Sequence, residues 1–188
     1  VLKELIEPLR ITESMVARRA LDSWENNNRT LSQLDHPNIP KIFGWGTRSR
    51  QLETQMLLRV LSAEQYYPGP TLLDTINYGA APLTTVMDAF SQLSDVLLHA
   101  HSRNITNRDF APFNIIASPD AEQTRYAVID WRYSFNPKID DRDIRTIVGK
   151  TSLKDEASRR LYLPPERIVF EDKSGRGDGS DHRTDYYL

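Results

Sequence analysis

Apolar residues recur along the chain at helical spacing in two long segments. Between Pro82 and Ser102 they follow one another at intervals of three and four residues: Leu83, Met87, Phe90, Leu93, Leu97 and Ala100. This period predicts a long helix with one buried face. A weaker repetition from Thr12 to about Leu34 predicts a second helix, although its middle carries the run Asn26-Asn27-Asn28, which has low helix propensity.

Short apolar runs bounded by turn residues predict strands around these helices. The predicted strands are Val1 to Ile6, broken by Pro8, then Ile39 to Trp45, Met56 to Leu61, Asn114 to Ala117 and Tyr126 to Ile129. Asn104 tolerates left-handed backbone and predicts the end of the long helix. The run Pro68-Gly69-Pro70 interrupts the pattern, and we expect Tyr66 to Pro70 to connect two lobes.

Composition narrows the class of protein without naming it. With 39% hydrophobic and 27% charged residues among 188, the chain can bury a core. The formal net charge of −2 gives no reason to expect nucleic acid as a partner. Because there is no cysteine, disulfides and thiolate metal sites are excluded.

The ends and the hydropathy of the chain give two further expectations. No apolar run approaches the roughly 20 residues that span a bilayer, and no signal sequence opens the chain, so we expect a cytoplasmic protein without a membrane segment. The sequence begins at Val1 inside an apolar stretch and stops at Leu188 where a helix starts. We therefore expect a piece of a longer domain.

Oxygen-bearing side chains are spaced in a way that suits phosphate chemistry. Asp109 and Asn114 lie five residues apart on a proline-containing loop between a predicted helix and a predicted strand. Asp130 directly follows the apolar strand Tyr126 to Ile129, where a carboxylate can meet Mg²⁺ that bridges phosphate oxygens. We expect the three side chains to face one point.

These motifs resemble the protein kinase family. Arg108-Asp109 with Asn114 is similar to the catalytic loop H-R-D-L-x-x-x-N, and Asp130 is similar to the aspartate of D-F-G. Four further segments match in chain order. Leu31 to Ile39, with His36-Pro37-Asn38-Ile39, is similar to the end of the first-lobe helix and the turn into the next strand, and Tyr66 to Leu72, ending in Gly69-Pro70-Thr71-Leu72, is similar to the hinge. Leu163-Pro164-Pro165-Glu166 is similar to the end of the activation segment, and Thr184-Asp185-Tyr186 to the start of the next helix.

The resemblance implies an α+β, bilobal, protein-kinase-like fold that is incomplete at both ends. Residues 1–66 are expected to form part of a small β-rich first lobe with one long helix. Residues 67–188 are expected to form part of a mainly helical second lobe with the catalytic loop and the activation segment. The implied activity is transfer of the γ-phosphoryl group of ATP to a Ser or Thr hydroxyl of a protein substrate, with Mg²⁺ as cofactor. Oligomeric state is left open.

The resemblance also assigns roles to single residues. Asp109 accepts or orients the proton of the substrate hydroxyl. Arg108 pairs with a phosphorylated residue of the activation segment, for which Thr151 and Ser152 are the candidates. The expected site residues are Asp109 and Arg108 for catalysis, Lys3, Glu64, Tyr66, Asn114 and Asp130 for nucleotide binding, and Asn114 and Asp130 for Mg²⁺.

Several residues depart from the family pattern. Asn27 stands where the family has a helix glutamate that pairs with the strand lysine, and Glu25 replaces it only in a different helix register. Ala111 stands where Ser/Thr kinases place a lysine, and Asn107 replaces the histidine of the catalytic loop. Arg132 replaces the glycine of D-F-G. The loss of the two charges at the positions of Asn27 and Ala111 predicts slow phosphoryl transfer or none.

Two alternatives follow from these departures. One is a pseudokinase that binds nucleotide or partners without efficient catalysis. The other is a small-molecule phosphotransferase of the aminoglycoside or choline kinase type, because Ile129-Asp130-Trp131 is similar to a strand end in those enzymes. The His36-Pro37-Asn38-Ile39 turn, the Pro165-Glu166 pair and the long segment before that pair favour the protein kinase interpretation.

Overall fold

The computed structural model describes residues 2–9, 14–51, 56–77, 79, 81–121, 123–132, 134–136 and 185, which form helices and antiparallel strands. In chain order its elements are β1 (Leu2–Leu9), α1 (Ser14–Leu31), β2 (Ile42–Gln51), β3 (Met56–Glu64), α2 (Leu72–Asn77), α3 (Leu83–His101), β4 (Ile115–Pro119) and β5 (Thr124–Val128). The architecture is α+β, as predicted. The division into two lobes at residue 66 stays a prediction.

The first sheet has the order β1-β3-β2, with both pairs antiparallel. The prediction that Pro8 ends the first strand is wrong, since β1 continues to Leu9 opposite Met56. Within the described sheet β1 is an edge strand, and an edge tolerates proline because one row of its N–H groups is not needed for pairing. The register places Lys3 opposite Ser62.

Helix α1 keeps its regular backbone through the asparagine run that predicted a weak middle. Asn26, Asn27 and Asn28 are all buried. The Asn26 side-chain amide donates to the Ser134 carbonyl at 2.7 Å, and Asn27 Oδ1 accepts from the Trp131 N–H at 2.9 Å. Tertiary hydrogen bonds thus override the low helix propensity of these residues. The predicted start of the helix at Thr12 lies outside the described residues.

Helix α3 is confirmed, but only half of its predicted apolar face is buried. Leu93 and Leu97 belong to the core, whereas Leu83 and Phe90 are 75% and 69% exposed. The hairpin of β4 and β5 meets the helix at Gln92, whose amide donates to the Thr124 carbonyl, so burial begins near that position. The predicted helix end is also confirmed, since Asn104 has a φ of +60°.

One core cluster joins the end of α1, the C-terminal half of α3 and the β4-β5 hairpin. The turn that contains Asn38 docks these parts together. The Asn38 side-chain amide donates to Gln92 Oε1 at 2.7 Å and to the Tyr126 carbonyl at 3.0 Å, and the Asn38 carbonyl accepts from the Val128 N–H. None of the helices among the described residues has the length and apolar character to cross a membrane.

The predicted connection after β3 is fixed at both ends. Tyr67 donates its hydroxyl hydrogen to the Pro37 carbonyl at 2.6 Å. Burial raises the pKa of Tyr67, so this hydroxyl stays protonated and remains a donor. The Ala117 N–H donates to the Pro70 carbonyl at 2.9 Å. The connection is therefore tied to the turn that follows α1 and to β4.

We predict that Gly69→Ala destabilises the protein by about 2 kcal/mol or more, because a non-glycine residue at positive φ is strained and a clash is added to that strain. Gly69 has a φ of +134°, and a Cβ there would lie 2.2 Å from the Ala117 carbonyl oxygen. Urea unfolding measures the loss. Gly46→Ala is the control, since nothing lies within 4 Å of its added Cβ. Equal midpoints for the two variants would contradict this close approach.

Candidate functional site

The loop before β4 holds Asp109 and Asn114 against each other. The Asn114 side-chain amide donates to Asp109 Oδ2 and to the Asp109 carbonyl, both at 2.9 Å. A short 3₁₀ turn over Pro112–Asn114 brings the two residues together, and the Asn114 N–H donates to the Ala111 carbonyl. Asn107 Oδ1 accepts from the Asp109 N–H at 2.9 Å. The predicted approach of Asp109 and Asn114 is thus present.

Asp130 lies beside Asn114 because of the hairpin register. Ile115 pairs with Val128, and the next N–H along the chain after β5, that of Ile129, donates to the Asn114 carbonyl at 2.8 Å. Asp130 follows directly, with a φ of +62°. Strained backbone of this kind in a non-glycine residue is concentrated at functional sites. The structure therefore places all three predicted oxygen donors at one end of the hairpin.

The carboxylate of Asp130 is paired with Arg132. Arg132 Nε donates to Oδ1 at 2.7 Å, and its Nη2 donates to Oδ2. The side chain of Asp130 is 18% exposed and that of Arg132 is 47% exposed. A two-point contact between guanidinium and carboxylate is a strong charge-assisted arrangement. The sequence revealed Arg132 only as a departure from D-F-G and gave no sign of this ion pair.

Arg108 is buried and does not present its charge to solvent in this structure. Its guanidinium carbon lies 4.4 Å from the centre of the Phe135 ring, a cation–π contact. Its backbone φ is +67°. The candidates for a phosphorylated partner in the activation segment, Thr151 and Ser152, lie outside the described residues. The predicted role of Arg108 stays a prediction.

Asp185 anchors the loop that carries Asp109, and the sequence alone did not reveal this contact. Its carboxylate is fully buried and accepts from the N–H groups of Asn107 and Arg108, each at 2.7 Å. His101 Nε2 lies 2.9 Å from its Oδ2. Successive backbone N–H groups form a concave anion site, and here a side chain of the same protein fills it. The motif around Asp185 is recognisable in the sequence, but no spacing connects it with Asn107.

The remaining residues that are predicted to bind nucleotide lie on or next to the first sheet. Lys3 lies on β1, and its side chain is outside the described part of the structure. Glu64 ends β3 and is only 3% exposed; its carboxylate accepts from Ser62 Oγ at 3.1 Å and from Asn27 Nδ2 at 3.4 Å. Tyr66 is 65% exposed. These hydrogen bonds do not extend to Asp109, so the nucleotide-binding roles of Lys3, Glu64 and Tyr66 stay predictions.

The departures from the family pattern also have definite places. Trp131 is fully buried in the core, and its indole N–H donates to the Val128 carbonyl at 3.1 Å. Ala111 and Asn107 are buried next to Asp109. Glu25 is exposed, so the helix register directs Asn27 and not Glu25 towards the interior. The alternative in which Glu25 replaces the family glutamate is therefore not realised.

The donor set fits magnesium. Carboxylate and amide oxygens are hard ligands, and Mg²⁺ usually takes one or two carboxylates together with water and substrate phosphates. Asn114 points its amide nitrogen at Asp109, which leaves Oδ1 as its atom for a metal ion. Among the described residues no group of three or more His, Asp or Glu side chains forms a metal cluster. Asp130 and Asn114 suit an ion that arrives with phosphates.

Comparisons with known proteins agree with these motifs. Calcium-dependent protein kinase 5 of Plasmodium falciparum is 28% identical over 120 residues, 63% of this chain and 20% of that protein. Serine/threonine-protein kinase pkn3 of Myxococcus xanthus is 26% identical over 189 residues, 100% of this chain and 30% of that protein. Serine/threonine-protein kinase cds1 of Schizosaccharomyces pombe is 24% identical over 188 residues, 98% of this chain and 36% of that protein.

The matches support a protein kinase-like domain in this chain. No protein-family model matches it. The chain spans 20% to 36% of the length of these curated relatives. What those kinases do as whole proteins is therefore a matter for proposal here.

We predict that Arg132→Ala strengthens Mg²⁺ binding by up to about fivefold, because the ion no longer competes with a partly exposed ion pair of up to about 1 kcal/mol. The readout is the Mg²⁺ concentration that gives half of the rise in Tm in the presence of ADP. Arg125→Ala is the control, since it removes a similar pair with Asp120 at the far end of the hairpin. An unchanged Mg²⁺ midpoint in Arg132→Ala would count against the competition.

We predict that Asp185→Ala lowers the free energy of unfolding by about 3–5 kcal/mol, as expected when one partner of a buried charged contact is removed. The N–H groups of Asn107 and Arg108 lose their acceptor. Asp185→Asn loses less, because its amide oxygen still accepts one hydrogen bond. Urea unfolding compares both with Asp35→Ala, a change at an exposed carboxylate. A loss in Asp185→Ala no larger than in Asp35→Ala contradicts the anchoring role.

Proposed function

We propose that this domain transfers the γ-phosphoryl group of ATP to a Ser or Thr hydroxyl of a protein substrate. The observation that carries the proposal is the contact of Asn114 with Asp109, at the hairpin end that also bears Asp130. The matches to serine/threonine-protein kinases support the same reaction class. We also propose the bilobal arrangement, with residues 1–66 and 67–188 in different lobes and the nucleotide between them.

Asp109 is the residue that handles the proton. Its Oδ2 is oriented by the Asn114 amide, and the carboxylate held in this way accepts the hydrogen of the substrate hydroxyl. The Asn107 side chain fixes the backbone of Asp109, and the Asp185 carboxylate fixes the two residues before it. A general base held in this way contributes roughly 10²-fold to 10⁴-fold to the rate.

Asn114 and Asp130 would hold magnesium. When bound, the ion neutralises charge that develops on the phosphate oxygens. For Asp130 to act as a ligand, its carboxylate has to exchange the Arg132 guanidinium for the ion. Lys3 contacts the α- and β-phosphates in this proposal, and the segment from Glu64 to Tyr66 borders the nucleotide.

A second candidate function is nucleotide binding without efficient catalysis. The ion pair between Asp130 and Arg132 favours it, since it occupies the metal-binding carboxylate. Asn27 and Ala111 favour it too, because each replaces a charged residue of the kinase pattern with a neutral one.

We predict that Asp109→Asn lowers Mg²⁺-dependent phosphoryl transfer by about 10²-fold or more, since the general base is lost. Transfer of labelled phosphate from ATP is measured with the protein itself and with a generic protein substrate. Asp120→Asn, at an exposed hairpin turn, is the matched control and keeps wild-type activity.

The same assay separates the protein kinase, the nucleotide-binding protein without efficient catalysis and the small-molecule phosphotransferase. Transfer that is lost only in Asp109→Asn supports the protein kinase. A folded wild-type protein that binds ADP without any transfer supports the nucleotide-binding candidate. Transfer to choline or an aminoglycoside but not to protein contradicts the proposed substrate class.

A further inference from the structure

The carboxylate missing from α1 has a counterpart on the neighbouring strand. Asn27 occupies the inward-facing position of α1 at which the kinase pattern has a glutamate. Its amide nitrogen lies 3.4 Å from Oε1 of Glu64, at the end of β3. A carboxylate is therefore present within hydrogen-bonding distance of the substituted side chain, but it belongs to a different element.

Glu64 is a costly residue to bury without a purpose. It is 3% exposed, and Ser62 Oγ and Asn27 Nδ2 are among the groups that donate to its carboxylate. Buried carboxylates are stabilised by a cation in addition to hydrogen bonds. A cationic group close by on the same sheet therefore reduces the cost of burying Glu64.

The strand register provides that group. Lys3 on β1 lies directly opposite Ser62 on β3. Residues directly opposite on antiparallel strands share a face of the sheet, and the residue two positions along the partner strand is about 7–8 Å away, within reach of a long side chain. Glu64 is that residue, and Ser62, whose hydroxyl donates to it, is the one directly opposite Lys3.

We propose that Glu64 replaces the α1 glutamate as the partner that positions Lys3. The Lys3 ammonium pairs with the Glu64 carboxylate, and Ser62 and Asn27 donate to the same carboxylate. The part of this inference that concerns phosphate binding rests on the proposed function; the pairing itself does not. Glu64 is then a positioning residue, in place of the direct contact with nucleotide that the family resemblance implies.

The relocation changes what controls the lysine. In the kinase pattern the pair forms only when the helix is in place, so movement of the helix switches the lysine on and off. Here both partners lie on adjacent strands of one sheet, so the pair persists when α1 moves.

The first experiment moves the carboxylate back to the helix. Glu64→Gln is expected to raise the KM for ATP and the Kd for MgADP at least fivefold, and Glu64→Gln combined with Asn27→Glu is expected to recover most of this loss. Glu25→Gln, an exposed glutamate of the same helix, is the control. A packing role for Glu64 predicts no recovery in the double variant. That result overturns the proposal.

The second experiment tests the pair without any activity. The Tm values of Lys3→Met, Glu64→Gln and their combination are compared in the apo protein. The combination is expected to lose less than the sum of the two single losses, because each single variant already breaks the same pair. Additive losses overturn the pairing even if phosphoryl transfer is found. Non-additive losses support the pairing even if no transfer is found, so failure of the proposed function is distinguished from failure of this inference.

Discussion

Asn114 joins the two segments on which the candidate site is built. Its side-chain amide holds the carboxylate and carbonyl of Asp109, and its own carbonyl accepts from Ile129, the residue before Asp130. One residue thus sets the position of the proposed base and of the proposed metal ligand at the same time. Without the hydrogen bonds of Asn114, the loop is not tied to the end of the hairpin, since β4 and β5 pair only over Ile115–Pro119 and Thr124–Val128.

The loop is also constrained from its other side. Asp185 accepts from two successive backbone N–H groups, and Arg108, the second of these residues, adopts a left-handed backbone directly before Asp109. Left-handed φ costs a non-glycine residue of order 1–2 kcal/mol. Such strain persists only where surrounding contacts determine the conformation. The buried carboxylate and the Asn107 side chain provide those contacts, so the loop is held rigidly in advance of any ligand.

Sequence alone predicted the parts of the site that depend on local spacing. Asp109 and Asn114 are close in the chain, and Asp130 follows an apolar strand, so their approach needed only a turn and a hairpin. The contact of Asp185 with Asn107 spans 78 positions, and no periodic pattern encodes it. The ion pair of Asp130 with Arg132 forms at a residue of left-handed φ, and residue type does not reveal that conformation. Similarly, the apolar stripe of α3 indicated the helix but could not show where along it the hairpin packs.

The polar interior of α1 has a mechanical consequence. Asn26 and Asn27 hydrogen-bond to main-chain groups of Trp131, Arg132 and Ser134, and Thr30 Oγ1 lies 2.6 Å from Ser134 Oγ. Any displacement of the helix must carry this segment along, or leave buried amide and hydroxyl groups without partners, each at a cost of about 1–3 kcal/mol. The helix and the chain that follows Asp130 therefore behave as one lever. A displacement of α1 is transmitted to the backbone next to Asp130 through uncharged groups. The coupling between the helix and this segment is therefore insensitive to salt.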